Sequence, residues 1–165
     1  MTPVVVLVGP PGAGKSTVGR LVASRREIGF RDTDDDVERA AGATIAEIFV
    51  DSGEQTFREL ESEAVRVALQ EHDGVLALGG GAVMDERTRD LLVGQCVVFL
   101  DVSLTDATSR VGLNRDRPLL LGNPRAALRT MLEQRRPVYD EVASTTVSTD
   151  GLTPEQVADA VEAVL

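Results

Sequence analysis

The stretch Gly9-Pro10-Pro11-Gly12-Ala13-Gly14-Lys15-Ser16-Thr17 decides the fold, because it matches the Walker A pattern G-x-x-x-x-G-K-[ST] at every fixed position. The β-branched run over residues 4–8 before it predicts a buried parallel strand, and residues 17–23 after it carry apolar side chains at helical spacing. A glycine-rich turn from a strand into a helix directs backbone N–H groups and the helix N-terminus at phosphate oxygens. The sequence therefore predicts a nucleotide phosphate site at residues 9–17.

The motif also predicts what individual side chains of this loop do. Lys15 is expected to reach the β- and γ-phosphates, and the Ser16 hydroxyl is expected to bind Mg²⁺. The residues predicted to hold the nucleotide phosphates are Gly12, Ala13, Gly14, Lys15, Ser16 and Thr17.

Length and composition limit the class of protein. A chain of 165 residues with 42% hydrophobic and 27% charged residues is most simply one domain with a substantial core. A net charge of −10 argues against a nucleic-acid partner, which usually requires a basic face. Cys96 is the single cysteine, so we expect no internal disulfide. No apolar run has membrane-spanning length, and we expect a cytoplasmic monomer.

Short apolar runs alternate with amphipathic helical segments along the chain. The runs that predict strands lie at residues 4–8, 28–30, 75–78, 97–101 and 145–148. This alternation predicts an α/β fold with a five-stranded parallel sheet, helices on both faces and a ligand at the carboxyl ends of the strands. Pro137 is expected to end a helix over 125–136, and residues 51–53 to form a turn between two helices.

Two carboxylates, Asp32 and Asp34, follow the second predicted strand. On an extended chain, residues two apart share a face. One could serve the Mg²⁺ hydration shell, and the other could accept a hydrogen bond from an attacking hydroxyl. The alternative is an acidic helix start, which is the interpretation that we favour for Asp35 and Asp36.

Three consecutive glycines, Gly79, Gly80 and Gly81, follow the third predicted strand. Glycines at a strand end favour close approach of the backbone to a small molecule, although a plain turn remains the alternative.

Arg58 and Glu61 lie three apart on a predicted helix. Their pattern alone favours a surface ion pair, against an anion-binding arginine that the glutamate holds in place.

The segment over residues 112–124 is rich in proline, glycine and arginine, and it predicts a lid. Arg117 in this segment has the position of an arginine that closes over a transferring phosphoryl group. Arg110 and Arg115 lie nearby in sequence and could contact either nucleotide or solvent.

Five segments together resemble the shikimate kinase family. They are the Walker A loop, Asp32-Thr33-Asp34, Arg58-x-x-Glu61-x-x-x-Val65 with the following Val75-Leu76-Ala77-x-Gly79-Gly80-Gly81-x-Val83, Arg117-Pro118-Leu119-Leu120 and Arg135-x-Pro137-x-Tyr139. These segments occur in the family's order and span nearly the whole chain. The Walker A loop alone would indicate only an NTPase.

The resemblance implies a nucleoside-monophosphate-kinase-like P-loop fold, a three-layer α/β/α arrangement in one domain with a lid. It implies transfer of the γ-phosphate of ATP, with Mg²⁺, to the 3-hydroxyl of shikimate, on the chorismate route to aromatic amino acids. It places the shikimate-binding region at about residues 32–61. Asp34 would hold and polarise the substrate hydroxyls, as a general base or only as an orienting group.

Further roles follow from the same resemblance. Arg58 and Arg135 would clamp the shikimate carboxylate, with the spacing to Pro137 and Tyr139 favouring Arg135 over Arg136. The three glycines at 79–81 would line the ring pocket. Ser16 and Asp32 would bind Mg²⁺, directly or through water. Arg110 and Pro154 would lie against the adenine, and Arg117 would come from the lid.

Two other functions remain possible at this point. A different small-metabolite kinase of this fold, such as a gluconate kinase, would share the Walker A loop; the Arg58 and Glu61 pair with three later glycines favours shikimate. A P-loop protein that binds nucleotide without transferring phosphate is disfavoured by Lys15, Asp34 and Arg117.

Overall fold

The structure, a computed structural model, describes residues 2–111 and 123–165. Most of the segment predicted as a lid, including Arg115 and Arg117, lies outside these residues. The elements in chain order are β1 (Val5–Val8), α1 (Lys15–Arg26), β2 (Phe30–Asp32), α2 (Thr33–Ala41), α3 (Ile45–Glu71), β3 (Val75–Ala77), a 3₁₀ turn (Ala82–Met84), α4 (Glu86–Leu92), β4 (Val97–Asp101), α5 (Leu104–Val111), α6 (Pro124–Val142), β5 (Thr145–Ser148) and α7 (Pro154–Glu162).

The strands form one sheet in the order β2-β3-β1-β4-β5, and every pairing is parallel. The prediction of a five-stranded parallel sheet is confirmed. From β1 the chain moves to β2 and β3 on one side and then to β4 and β5 on the other. The strand order therefore reverses at β1, and the crevice beyond its carboxyl end is where such sheets bind ligands.

The two faces of the sheet are both covered by helices, which confirms the three-layer arrangement. Successive β1 residues alternate between the two cores: Val5 and Leu7 pack with residues of α1 and α7, whereas Val6 and Val8 pack with residues of α3. This double burial explains why the strand sequences are continuous β-branched and aliphatic runs rather than alternating ones.

The start of α2 differs from the prediction. The helix begins at Thr33, directly after β2, and Asp32 is its N-cap residue, whose Oδ1 accepts a hydrogen bond of 2.9 Å from the backbone N–H of Asp34. Asp32 and Asp34 therefore do not share a face of an extended chain, as the spacing argument assumed. An aspartate at the N-cap and acidic residues in the first turn satisfy free N–H groups and the helix dipole, so the helix begins directly after β2.

Pro137 does not end α6, which continues to Val142, so that prediction is wrong. A proline inside a helix costs about 3 kcal/mol because one hydrogen bond is lost. Burial of Tyr139 one half-turn later offsets this cost, since its ring is 1% exposed and lies 5.0 Å from the ring of Phe99.

The predicted turn at residues 51–53 is confirmed as a break within α3, where Gly53 has φ +85° and ψ 168°.

Candidate active site

The Walker A loop links β1 to α1 through glycines that other residues could not replace. Gly14, the N-cap of α1, has φ +90°, in the left-handed region that favours glycine. A Cβ on Gly9 would lie 2.6 Å from the carbonyl oxygen of Leu100 in β4. The Lys15 ammonium donates hydrogen bonds to the carbonyls of Gly9 (2.7 Å) and Pro10 (3.1 Å), which holds the lysine across the loop.

A cavity of about 490 Å³ opens over this loop at the carboxyl ends of the strands. Predicted site residues that line it are Gly12, Ala13, Gly14, Lys15, Ser16, Thr17, Asp32, Asp34, Gly80, Arg110 and Pro154. The fold thus brings eleven sequence-predicted residues from five separate segments to one cavity.

Ser16 and Asp32 lie together at the base of the cavity, where the Ser16 Oγ donates a hydrogen bond of 2.8 Å to Oδ2 of Asp32. This is a pair of hard oxygen donors beside a phosphate-binding loop. Mg²⁺ typically takes one or two protein oxygens together with phosphate oxygens and water, so the donor set fits that ion. Within residues 2–111 and 123–165, no group of three or more His, Cys, Asp or Glu side chains could hold a metal by itself.

The glycine bend after β3 leaves room for charged side chains. A Cβ on Gly79 would lie 2.5 Å from Oδ1 of Asp34 and 2.7 Å from Oε2 of Glu61. A Cβ on Gly81 would lie 2.6 Å from Nη1 of Arg58. The absence of side chains at these two positions is therefore what lets two carboxylates and one guanidinium reach the backbone of the bend.

Gly80, in the middle of this bend, lies close to both the phosphate loop and a second arginine. A Cβ here would lie 3.1 Å from Cδ of Pro11 and 3.4 Å from Nη1 of Arg135. Arg136, the next residue, instead contacts Oδ1 of Asp101 at 3.1 Å, at the end of β4. Of these two neighbouring arginines, Arg135 is the one that faces the glycine bend.

Arg58 and Glu61 form an ion pair that is not on the surface, contrary to the interpretation that their spacing alone favoured. Arg58 Nη1 donates to Oε1 of Glu61 at 2.7 Å, and the Glu61 side chain is only 4% exposed. Burial raises the pKa of the Glu61 carboxyl above its ordinary value, although the charge and hydrogen bond of Arg58 oppose this shift. A carboxylate held in this way fixes the direction of the guanidinium.

Arg110 lies at the other edge of the cavity, with its guanidinium fixed by backbone and side-chain oxygens. It donates to the carbonyl of Gly12 (3.3 Å), to Oγ1 of Thr149 (2.9 Å) and to the carbonyl of Thr149 (2.8 Å). The fully buried Thr149 in turn donates its hydroxyl to the carbonyl of Asp101 at 2.8 Å. Pro154, at the start of α7, lines the same cavity.

Three buried residues with hydroxyl groups support the site, although no role of their own was predicted for any of them: Thr33, Tyr139 and Thr149. The Thr33 hydroxyl accepts a hydrogen bond of 3.1 Å from the backbone N–H of Gly79, which joins α2 to the glycine bend. Tyr139 donates to the carbonyl of Gly80. Thr33 and Tyr139 belong to the motifs quoted above, but Thr149 follows β5 with no motif to mark it.

The family model described as "Shikimate kinase" matches residues 11–165. The chain belongs to the shikimate kinase family. It is 59% identical over 165 residues to a shikimate kinase of Salinispora arenicola, covering all of this chain and 99% of that protein. It is 58% identical over 158 residues to a shikimate kinase of Streptomyces coelicolor, covering 96% of this chain and 92% of the relative.

Solved structures agree with this family membership. A shikimate kinase from Acinetobacter baumannii in complex with shikimate superposes with a TM-score of 0.94 at 36% identity, over 99% of this chain and 92% of the other. A gluconokinase from Sinorhizobium meliloti gives a TM-score of 0.59 at 20% identity over 96% of this chain and 89% of that one, a likeness of fold alone. In the described part of the chain, no helix has the length and apolar character that a membrane span requires.

Proposed function

We propose that this protein transfers the γ-phosphoryl group of ATP to the 3-hydroxyl of shikimate, giving shikimate 3-phosphate for the route to chorismate and the aromatic amino acids. The observation that carries the proposal is the position of Gly80. A Cβ on Gly80 would meet both Pro11 of the phosphate loop and the guanidinium of Arg135, so the phosphate loop and this arginine lie close to each other at the glycine bend.

The nucleotide occupies the cavity over the Walker A loop in this proposal. The backbone N–H groups of the loop and the N-terminus of α1 bind the phosphates, and Lys15 moves from the loop carbonyls to the β- and γ-phosphates. Arg110 and Pro154 contact the adenine at the other edge of the cavity. Hydrogen bonds to Thr149 hold the Arg110 guanidinium at this edge.

Ser16 and Asp32 would hold Mg²⁺, directly or through its water shell, because their oxygens meet at the base of the cavity. When bound, the ion would neutralise charge on the phosphate oxygens. The Ser16 hydroxyl donates to Asp32, so the pair is held in place by a hydrogen bond within the protein.

Shikimate occupies the space around the glycine bend. Arg58, held by the buried Glu61, and Arg135 bind its carboxylate, and the backbone of Gly79, Gly80 and Gly81 lines the ring pocket. The protein carries a net charge of −10, so these local guanidinium groups are needed to attract an anionic acceptor.

Catalysis in this proposal depends on positioning and electrostatics rather than on a covalent intermediate with the protein. Asp34 accepts a hydrogen bond from the 3-hydroxyl and orients its oxygen toward the γ-phosphorus. The oxygen–phosphorus bond forms as the bond to ADP breaks, and the hydroxyl proton passes to Asp34 or to water. Arg117 of the lid stabilises the charge on the transferring group. Arg117 lies outside the described residues, so its role follows from the sequence alone.

The proposal also includes a single-domain monomer that acts in the cytoplasm. It rests on the length of the chain, on a half-buried Cys96 with no disulfide partner, and on one continuous sheet that joins all five strands.

The test is an ADP-release assay with ATP and Mg²⁺ in which shikimate, gluconate, quinate and nucleoside monophosphates are compared as acceptors. We expect ADP release that shikimate stimulates and gluconate does not. Phosphorus NMR of the product should show a phosphate ester on the 3-hydroxyl. Turnover stimulated only by another acceptor would select a different metabolite kinase, and ADP release unaffected by every acceptor would reject phosphoryl transfer to a metabolite.

A further inference from the structure

Tyr139 is a buried residue of α6 that contacts the glycine bend of the candidate site. Its ring is 1% exposed and packs 5.0 Å from Phe99 of β4, among the residues of the core that α3 covers. Its phenol O–H donates a hydrogen bond to the carbonyl oxygen of Gly80. The only polar atom of this side chain is thus directed at the middle of the glycine bend.

Arg135 lies near the phenol oxygen, where its positive charge opposes the rise in the pKa of Tyr139. Residues four apart on a helix lie on one face, so α6 presents Arg135 and Tyr139 together to the bend. The Arg135 Nη1 lies beside Gly80, at 3.4 Å from where a Cβ would stand. Gly80, Arg135 and Tyr139 therefore lie close together, and the Tyr139 hydroxyl is bonded to the Gly80 carbonyl.

We propose that Tyr139 is a positioning residue for the acceptor: its hydroxyl fixes the Gly80 peptide and the Arg135 guanidinium relative to each other. This inference rests on the proposed function, in which Arg135 binds the shikimate carboxylate. Because a Cβ on Gly80 would also meet Pro11 of the phosphate loop, the hydroxyl, by fixing the Gly80 peptide, sets the spacing between the acceptor site and the phosphates.

The chemical environment suits this role. Burial raises the pKa of Tyr139 to about 12, so the hydroxyl keeps its proton and remains a donor to Gly80 throughout the neutral range. The continuation of α6 through Pro137 supports the same conclusion. If the helix ended at that proline, Tyr139 would not lie on the same helix face as Arg135, next to the glycine bend.

The test begins with Tyr139→Phe, which removes the hydroxyl and keeps the ring that packs on Phe99. We expect the KM for shikimate to rise about tenfold, the scale of one lost hydrogen bond at a buried group. We expect the KM for ATP to change less than about twofold, because the nucleotide edge of the cavity is fixed by other residues. A purely structural role would lower stability without this selective change.

Thr88→Val is the matched control, because it also removes a fully buried hydroxyl, one with no hydrogen-bond partner in the described part of the chain. Both KM values should be unchanged in this variant. Equal increases in the shikimate KM for Thr88→Val and Tyr139→Phe would overturn the inference, because loss of any buried hydroxyl would then suffice.

A double-mutant cycle with Arg135→Ala tests whether Tyr139 acts through the arginine. We expect Arg135→Ala to raise the shikimate KM, and the addition of Tyr139→Phe to change it less than about threefold further. If the two effects multiply fully, or if Tyr139→Phe alone leaves the shikimate KM unaltered, the inference is wrong while the proposed function stands. If Arg135→Ala itself leaves the shikimate KM unaltered, the role of Arg135 in the proposed function is wrong, and the inference falls with it.

Discussion

Nη1 of Arg58 lies 2.7 Å from Oε1 of Glu61, whose side chain is almost entirely buried beneath the glycine bend. Arg58 itself is about one quarter exposed. A guanidinium anchored on one edge by a buried carboxylate is held for bidentate contact with a second carboxylate, because little side-chain entropy is left to lose on binding.

Replacement of Arg58 by alanine should raise the KM for shikimate about 100-fold, because a charge-assisted contact is lost and Glu61 is left buried without its partner. The KM for ATP should stay nearly constant, since Arg58 does not line the cavity over the Walker A loop. Steady-state kinetics with each substrate varied in turn measures both values. Arg66→Ala, an exposed arginine on the same helix, should match the wild type. Weaker ATP binding with an unaltered shikimate KM would reject the assigned role.

The buried carboxyl of Glu61 should make stability depend on pH. Its pKa is raised in the folded protein by burial, so folding favours the protonated form. The contribution of Glu61 to stability is then fully present below its unfolded pKa and declines as pH rises through the higher folded value. The free energy of unfolding of the wild type minus that of Glu61→Gln should fall as pH increases from about 4 toward neutrality.

Urea unfolding of both proteins across this pH range measures that difference. Glu63→Gln on the same helix is the control with the opposite sign, because the hydrogen bond from Arg66 lowers the pKa of the exposed Glu63. A difference that stays constant with pH for Glu61→Gln would show that burial does not control this carboxyl.

Gly81→Ala should impair the acceptor site by displacing Arg58. The backbone at Gly81 has φ −100°, which alanine adopts without strain, so the effect would come only from the Cβ that would lie 2.6 Å from Nη1 of Arg58. We expect the shikimate KM to rise at least about tenfold, with a smaller change for ATP. Gly42→Ala is the control: its φ of +65° is strained for alanine and costs about 1 kcal/mol, but nothing lies within 4 Å. That variant should lose thermal stability and keep both KM values.

Ser16→Ala should increase the Mg²⁺ concentration needed for half-maximal activity by about tenfold or more, because one hard oxygen donor is removed and Asp32 loses its hydrogen bond. Titration of Mg²⁺ at a fixed concentration of ATP measures this value. Ser24→Ala, at an exposed position of the same helix, should titrate like the wild type. An unchanged Mg²⁺ requirement in Ser16→Ala would remove Ser16 from the proposed metal site.

Thr149→Val should raise the KM for ATP several-fold by releasing Arg110. The valine keeps the buried volume but removes the hydroxyl that accepts from Arg110 at 2.9 Å and donates to the carbonyl of Asp101. The shikimate KM should be unaffected, and Thr149→Ser should keep the wild-type values because it keeps the hydroxyl. Substrate kinetics of the two variants checks this, and equal losses for serine and valine would contradict it.

The amino-acid sequence determined the elements that depend on neighbours along the chain. Residues 4–8 form a strand because a continuous β-branched run suits a doubly buried position, and residues 9–17 form the phosphate loop because their glycines allow conformations such as φ +90° at Gly14. The five parallel strands and the break at Gly53 followed from the same kind of pattern. The motifs, taken in order, also indicated the family.

Tertiary structure alone decided which polar groups are buried and what they contact. The spacing of Arg58 and Glu61 suits an exposed pair equally well, and Pro137 by itself predicts a helix end. Glu61 is buried by the glycine bend after β3, and Tyr139 is buried against β4. Thr149 belongs to none of the motifs in the sequence, so its contact with Arg110 could not be predicted. The physical reason is that hydrophobic burial and desolvation depend on residues far apart in the chain, whereas helix caps, glycine turns and strand runs are set by residues only a few positions away.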